Sequence, residues 1–234
     1  MLTTHFSFKV PDDVELIPYS SYFNPCKVSI TIPAAIIFHG IAYDSPPLRV
    51  THSAWINYVF ETEDDAKSFQ NQLFGRTLIA SYKTEKTVRV HEGMGKVIAF
   101  QEQMCAMETL RLWEEESSGA VLGMIHFSAQ FRGGYMLFYL NSKERPIRVR
   151  DEGGKVVKIK GLRVPLDSSE RAKVERSLSL NEKGDKRRAS DAKKWISGAK
   201  IEFASESEKL EFIDKVEQVQ RRSVEGLQEP NFSA

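Results

Sequence analysis

Apolar and polar positions follow strand-like patterns over most of this chain, and a clear helical period appears at only two places. In the first third, strand-type runs cover residues 4–9, 27–32, 34–41 and 55–60. The stretch from 105 to 203 is denser. Thr109, Arg111 and Trp113 alternate with Leu110 and Leu112, and Ser117-Ser118-Gly119 reads as a turn. Residues 120–131 form a long β-type run, and Arg132-Gly133-Gly134 turns the chain again. Residues 135–140 are short and wholly apolar, the pattern of a core strand. Residues 146–150 and 155–160 flank Asp151-Glu152-Gly153-Gly154, a strong hairpin signal. Residues 162–166 and 201–203 complete seven expected strands.

The two helical stretches belong to a repeat at a fixed offset of 143 residues, 58–76 against 201–219. Phe60 matches Phe203, Thr62 matches Ser205, Glu63 matches Glu206, Phe69 matches Phe212 and Leu73 matches Val216. Each copy reads as a strand running into a helix. Thr62 and Ser205 stand at the N-cap, where a side-chain oxygen accepts from a first-turn amide. Asp65 and Glu208 follow three residues later. Ser205 with Glu208 is a capping box, and Thr62 with Asp65 is a weaker relative. Ala66, Phe69 and Leu73 in one copy, and Phe212, Val216 and Val219 in the other, mark the faces expected to be buried. The competing explanation is that any strand-to-helix junction favours these residues.

Seven strands followed by one amphipathic helix resemble the order of a pleckstrin-homology-like (PH-like) domain, in which two packed antiparallel sheets are capped at one end by a C-terminal helix. The expected fold class is therefore mainly β with capping helices (α+β): two PH-like β-sandwich or barrel units, each ending in a C-terminal helix. Residues 1–82 make a short PH-like domain. Residues 85–222 make a complete one, with a polar insertion at 167–195, and 223–234 form a flexible tail. Loops as long as the insertion are usually functional or disordered; within it, 171–180 read as a marginal helix. Residues 101–123 are also similar to a stretch in uncharacterised proteins of filamentous fungi, a likeness that carries no function.

Composition changes this picture little. The 234 residues are 41% hydrophobic and 28% charged, the range of an ordinary folded domain. No run of apolar residues is long enough for a membrane-spanning helix. The opening MLTTHFSFKVPDD lacks the order of a secretory leader, and EPNFSA carries no lipidation cysteine, so neither feature is expected. Two cysteines, Cys26 and Cys105, fit a reducing compartment, and the expected location is the cytoplasm, with peripheral membrane attachment as a second option.

Charge is more informative. The net charge is +1, yet residues 143–163 carry eight basic and three acidic side chains, and residues 167–194 carry nine and six. The rest of the chain is therefore net acidic. Because strand side chains alternate, Arg148 and Arg150 share a face, as do Lys158 and Lys160. A hairpin through the turn at 151–154 brings the four cations to one face and sends Val149, Val157 and Ile159 to the core. Like charges facing each other in a sheet are unfavourable without an anion to compensate, which is the physical reason to read these four as a binding surface. The plain alternative is a face kept soluble by charge.

PH-like domains usually hold phosphoinositides with Lys and Arg around the loop between their first two strands. Here that loop is expected at 114–119, where Glu114, Glu115 and Glu116 would repel a phosphorylated headgroup. Lys96, Arg111 and the four hairpin cations remain as alternatives. Lys186-Arg187-Arg188-Ala189-Ser190 resembles the consensus of basophilic protein kinases, which makes Ser190 a candidate regulatory phosphorylation site. No basic stripe interleaved with aromatics points to nucleic acid.

No catalytic signature stands out. His5, His39, His52, His91 and His126 lack metal-ligand spacing; no nucleophile elbow, Walker or dinucleotide motif is present. Neither a cofactor nor a small-molecule substrate is expected. The expectation is thus a non-catalytic intracellular adaptor or scaffold that binds a protein segment or docks weakly on anionic membrane through the basic hairpin. An exposed edge strand offers peptide addition as a further mode. The alternative is a small enzyme whose site is assembled from distant residues, such as His126 with Cys105.

Overall fold

The computed structural model describes residues 6–9, 16–30, 34–38, 49–53, 56–90, 102–128, 134–165 and 195–227. The chain divides into two compact units after Gly75.

The first unit holds β1 (Phe6–Lys9), β2 (Pro18–Ser20), β3 (Lys27–Ile30), β4 (Ala34–Phe38), β5 (Arg49–Ser53), β6 (Ile56–Val59) and α1 (Glu63–Phe74). Its strands form two three-stranded antiparallel sheets, β1-β4-β5 and β2-β3-β6. Thr62 caps α1, its hydroxyl accepting from Asp65 N at 3.1 Å, and Gly75 ends the helix at φ 63°. The buried side of α1 is Ala66, Gln70 and Phe74, rotated from the expected Ala66, Phe69 and Leu73. Phe69 is half-buried and packs on Tyr58 and Phe60, with ring centroids at 4.8 and 5.1 Å.

The second unit is built on one seven-stranded antiparallel sheet. Its strands are β7 (Thr77–Arg89), β8 (Glu102–Glu115), β9 (Ala120–His126), β10 (Tyr135–Tyr139), β11 (Arg148–Asp151), β12 (Val156–Pro165) and β13 (Trp195–Phe203), followed by α2 (Glu206–Gln220). The spatial order is β10-β9-β8-β7-β13-β12-β11, so the first and last strands are neighbours and the sheet opens between β10 and β11. Side chains from both edges, Met136 and Phe138 on one side and Ile147 and Val149 on the other, meet in a single core. The sheet must therefore curl to bring its ends toward each other. Phe212, Val216 and Val219 of α2 complete that core. Phe203, Phe212 and Tyr82 form an aromatic cluster with centroids 5.2 to 6.2 Å apart. Burial, with the Glu211 and Asp214 carboxylates nearby, pushes the Tyr82 hydroxyl up to about 12. Ser205 caps α2 by accepting from Glu208 N at 3.1 Å, as the repeat predicts. The two units share this junction, but not their sheet arrangement.

Several expectations are corrected. β7 is a thirteen-residue strand through the expected boundary at 82–85. Within it Thr84 is buried, and its hydroxyl donates to Glu108 O at 2.8 Å. The two strands expected at 155–160 and 162–166 are one, β12, interrupted by a bulge at Gly161 (φ +80°). β8 does not alternate between buried and exposed: Thr109 to Trp113 are buried without interruption. Residues 223–227, expected as flexible tail, are pinned. Val224 bridges Ser142, its amide donating to Asn141 O at 2.8 Å, and Gly226 N donates to Glu144 Oε1 at 2.6 Å. The buried Asn141 side chain ties this region together: its Oδ1 accepts from Val121 N, and its amide donates to Gly119 O and Arg222 O. Of the insertion expected at 167–195, residues 167–194 lie outside the described residues, and Trp195 opens β13.

Candidate functional site

The site grows from the β11–β12 hairpin. Gly153 and Gly154 adopt φ of 90° and 53°, so the turn needs glycine at both positions. Asp151 Oδ1 accepts from Gly153 N at 2.8 Å and fixes its start. The pairing is Arg148 with Lys160, Val149 with Ile159, Arg150 with Lys158 and Asp151 with Val157. The alternation therefore puts all four predicted cations on one face, while Val157 and Ile159 are fully buried and Val149 packs against the core.

The next strand extends the face. Lys158 pairs across to Lys200 of β13, so Arg150, Lys158 and Lys200 form a row over three neighbouring strands. Strands lie about 4.8 Å apart, so these charges are held at close range. Glu152 enters the row from the turn, its Oε2 3.1 Å from Lys200 Nζ and its Oε1 3.9 Å from Arg150 Nε. The Lys200 hydrogen bond holds its carboxyl below the usual glutamate range, helped by the charges of Lys158 and Arg150. Arg148 and Lys160 have no carboxylate at ion-pair distance among the described residues. The other cations of the basic segment are engaged elsewhere. Lys143 pairs with Glu225, Lys155 with Glu85 at 3.1 Å, and the Arg163 guanidinium lies over the Trp195 ring at 4.7 Å.

On the core side, the ammonium of the buried Lys209 lies 3.1 and 3.0 Å from the two carboxylate oxygens of Asp151. The hydrogen bond from Gly153 N and then Lys209 lower the Asp151 carboxyl, and Asp151 in turn raises the Lys209 ammonium. The hairpin is thereby fixed to α2.

Sequence reasoning missed Lys200 and Glu152. Lys200 follows a long insertion, and no local pattern gives the register of β13 on β12. Glu152 was visible only as a turn residue.

The other candidates fall differently. The Glu114–Glu116 run ends β8 and leads into the turn to β9, the second and third strands of this unit, because β7 precedes them. Its acidity is therefore silent about the connection between the first two strands, which holds Lys96 and lies outside the described residues beyond residue 90. Glu114 pairs with Arg222 at 2.9 Å, and Glu116 accepts from Thr77 Oγ1 at 2.9 Å. Arg111 is buried, its guanidinium 5.6 Å from the Trp113 centroid and its Nη2 donating to Met124 Sδ at 3.4 Å, so it cannot serve a surface ligand. Cys105 is buried, and burial pushes its thiol up to about 12. His126 Nδ1 lies 3.5 Å from the buried carboxylate of Glu108. Ser190 lies outside the described residues. Among those residues no cluster of three metal-ligating side chains occurs, and no helix is long and apolar enough to cross a membrane.

No family model, curated protein or solved structure matches this chain.

Proposed function

We propose that this protein is a non-catalytic adaptor module whose second unit is a PH-like barrel and whose cationic face holds an acidic segment of a partner protein. A seven-stranded antiparallel sheet with its first and last strands paired, closed at one end by a helix, supports the PH-like reading. For the first unit, the tandem reading rests on the shared strand-to-helix junction.

The observation that carries the binding role is the row Arg150–Lys158–Lys200. Keeping a solvent face soluble requires dispersed charge of both signs. Stacking cations directly opposite one another over three strands costs stability; Glu152 offsets part of that cost at Lys200 and Arg150, the adjoining Arg148–Lys160 pair has no carboxylate among the described residues, and a bound anion would recover the rest. A protein segment is favoured over a membrane. Within this unit the exposed large apolar side chains among the described residues are Met107 on β8 and Leu210 on α2, neither on the strands that carry this face. A membrane-docking surface normally carries apolar groups that enter the headgroup boundary. Against the enzyme alternative, Cys105 is buried, and that burial raises its thiol and disfavours the thiolate a nucleophile needs. The cytoplasm suits such an adaptor, and both cysteines are free thiols.

The test titrates the full chain with a fluorescent polyglutamate peptide and, separately, with phosphatidylserine vesicles at rising salt. Peptide binding is expected to weaken with salt and to fall at least about tenfold in Lys158→Glu/Lys160→Glu. Equal binding by wild type and variant, or capture by vesicles alone, overturns the proposal.

A further inference from the structure

α2 lies along β11. Lys209 Nζ meets both carboxylate oxygens of Asp151, and near the other end of the helix Gln220 Nε2 donates to Ile147 O at 3.1 Å, so the helix follows the strand from its turn end to its start. Counting about 100° per residue, Lys209 and Gln220 share the side turned to β11. Glu217, Leu210 and Asp214 follow within about 60° of one another, on the side turned from the core residues Phe212, Val216 and Val219. All three are exposed, Leu210 at 54%. An acidic stripe with one apolar side chain thus runs beside the strand that carries Arg148 and Arg150.

The stripe is costly where it stands. Glu217 is in the last turn of α2, where the helix dipole favours cations, and that turn has no basic residue. Asp214 and Glu217 are three residues apart and repel each other. Asp214 accepts from Gln218 Nε2 at 2.6 Å, but among the described residues no cation reaches either carboxylate at ion-pair distance. The acids of α1 differ: Glu63, Asp64 and Asp65 stand in its first turn, where the dipole offsets them. The Arg148–Lys160 pair is uncompensated in the opposite sense. The spacings of the two pairs agree. Three residues of helix rise about 4.5 Å, and neighbouring strands lie about 4.8 Å apart. A helix crossing the strands therefore sets Glu217 and Asp214 opposite Arg148 and Lys160. Leu210, one turn away, then rests on the aliphatic stems around them.

We infer that two copies of this chain associate through these surfaces, Asp214, Glu217 and Leu210 of one copy lying on Arg148 and Lys160 of the other. This rests on the cationic face being the binding surface and names the acidic segment it holds, α2 of a second copy. Within one copy the stripe cannot fold onto those cations, because the Lys209–Asp151 pair and the buried Phe212, Val216 and Val219 hold α2 in place. The acidic and cationic patches adjoin along β11. A twofold axis along their seam therefore lays each stripe over the other copy's cations, and the arrangement closes as a dimer in place of a filament.

The experiment is sedimentation equilibrium of the full chain over a range of concentration and salt. A monomer–dimer equilibrium is expected, weaker at high salt. Asp214→Lys/Glu217→Lys and Arg148→Glu/Lys160→Glu should each raise the dimer dissociation constant at least about tenfold. The milder Asp214→Asn/Glu217→Gln, which keeps the shape of the helix surface, should shift it in the same sense. An equimolar mixture of the two charge-reversed variants should recover the dimer, since every contact is then again between opposite charges; recovery requires both to be folded, so misfolding cannot imitate it. A wild type that stays monomeric at low salt, growth beyond a dimer, a dimer untouched by the substitutions, or no recovery on mixing variants that melt like wild type overturns the inference. If the wild type is monomeric yet binds polyglutamate, the cationic face stands as a binding surface and only the second copy falls. If it does neither, both readings fall.

Discussion

Lys209 of α2 reaches back to the root of the cationic hairpin and bonds both carboxylate oxygens of Asp151, at 3.1 and 3.0 Å. The ammonium is buried, while Asp151 remains part-exposed. One pair thus couples the helix that completes the core to the strand that carries Arg148 and Arg150.

Its pH dependence follows from the two shifts. Asp151 is depressed in the folded state, so its contribution is full above about pH 3.9 and is lost as pH falls through its folded value. Lys209 is raised, so its contribution is full below about pH 10.4 and is lost as pH rises through its folded value. Asp151→Asn should lower the Tm throughout the interval between. The gap from wild type should close toward both extremes. Thermal melts from acid to alkaline pH check this, and a gap independent of pH would contradict it.

Lys160 stands directly opposite Arg148 with no acidic partner among the described residues. Lys160→Glu replaces a repulsive cross-strand pair by an attractive one, so the variant should be more stable by about 0.2–1 kcal/mol. The same change should weaken binding of the acidic peptide. Urea melts and a titration on one preparation read both effects, and loss of stability together with binding would mark the residue as structural.

Gly161 permits the bulge that joins the two halves of β12. Its φ is +80°, and a Cβ there would lie 3.1 Å from Pro146 O. Gly161→Ala should cost about 1–2 kcal/mol from the left-handed backbone alone. Denaturant unfolding measures this directly.

Phe212 is fully buried between Phe203 and Tyr82. Phe212→Ala should cost about 3–5 kcal/mol, against about 1 kcal/mol for removing the α2 cap with Ser205→Ala. A loss at Phe212 no larger than at Ser205 would mean that α2 does not complete the core.

Cys105 is fully buried with its thiol near 12, whereas Cys26 is partly exposed. In the folded protein, iodoacetamide should modify Cys26 and spare Cys105 until denaturant is added. Mass spectrometry of the alkylated chain decides the matter, and rapid labelling of Cys105 would revive it as a nucleophile.

What could be read from sequence was local. The hairpin register followed from two glycines in a turn and alternation on either side, and both helix caps from hydroxyl residues placed before acidic ones. What depended on distant pairing was hidden. β7 was not among the expected strands: its buried positions include the polar Thr84 and Thr87, whose burial becomes visible only beside β8. Missing it displaced the expected first loop of the unit by one strand. The helical face of α1 was misplaced because Gln70 is buried while its side chain donates to Ala66 O, which removes the usual penalty for a polar residue inside. Lys200 joined the site only when β13 was laid against β12.

The most direct measurement is amide mapping by NMR of the full chain titrated with the polyglutamate peptide. Signals of Arg148, Arg150, Lys158, Lys160 and Lys200 should move together. Shifts gathered elsewhere on the chain, with these five unmoved, would contradict the account.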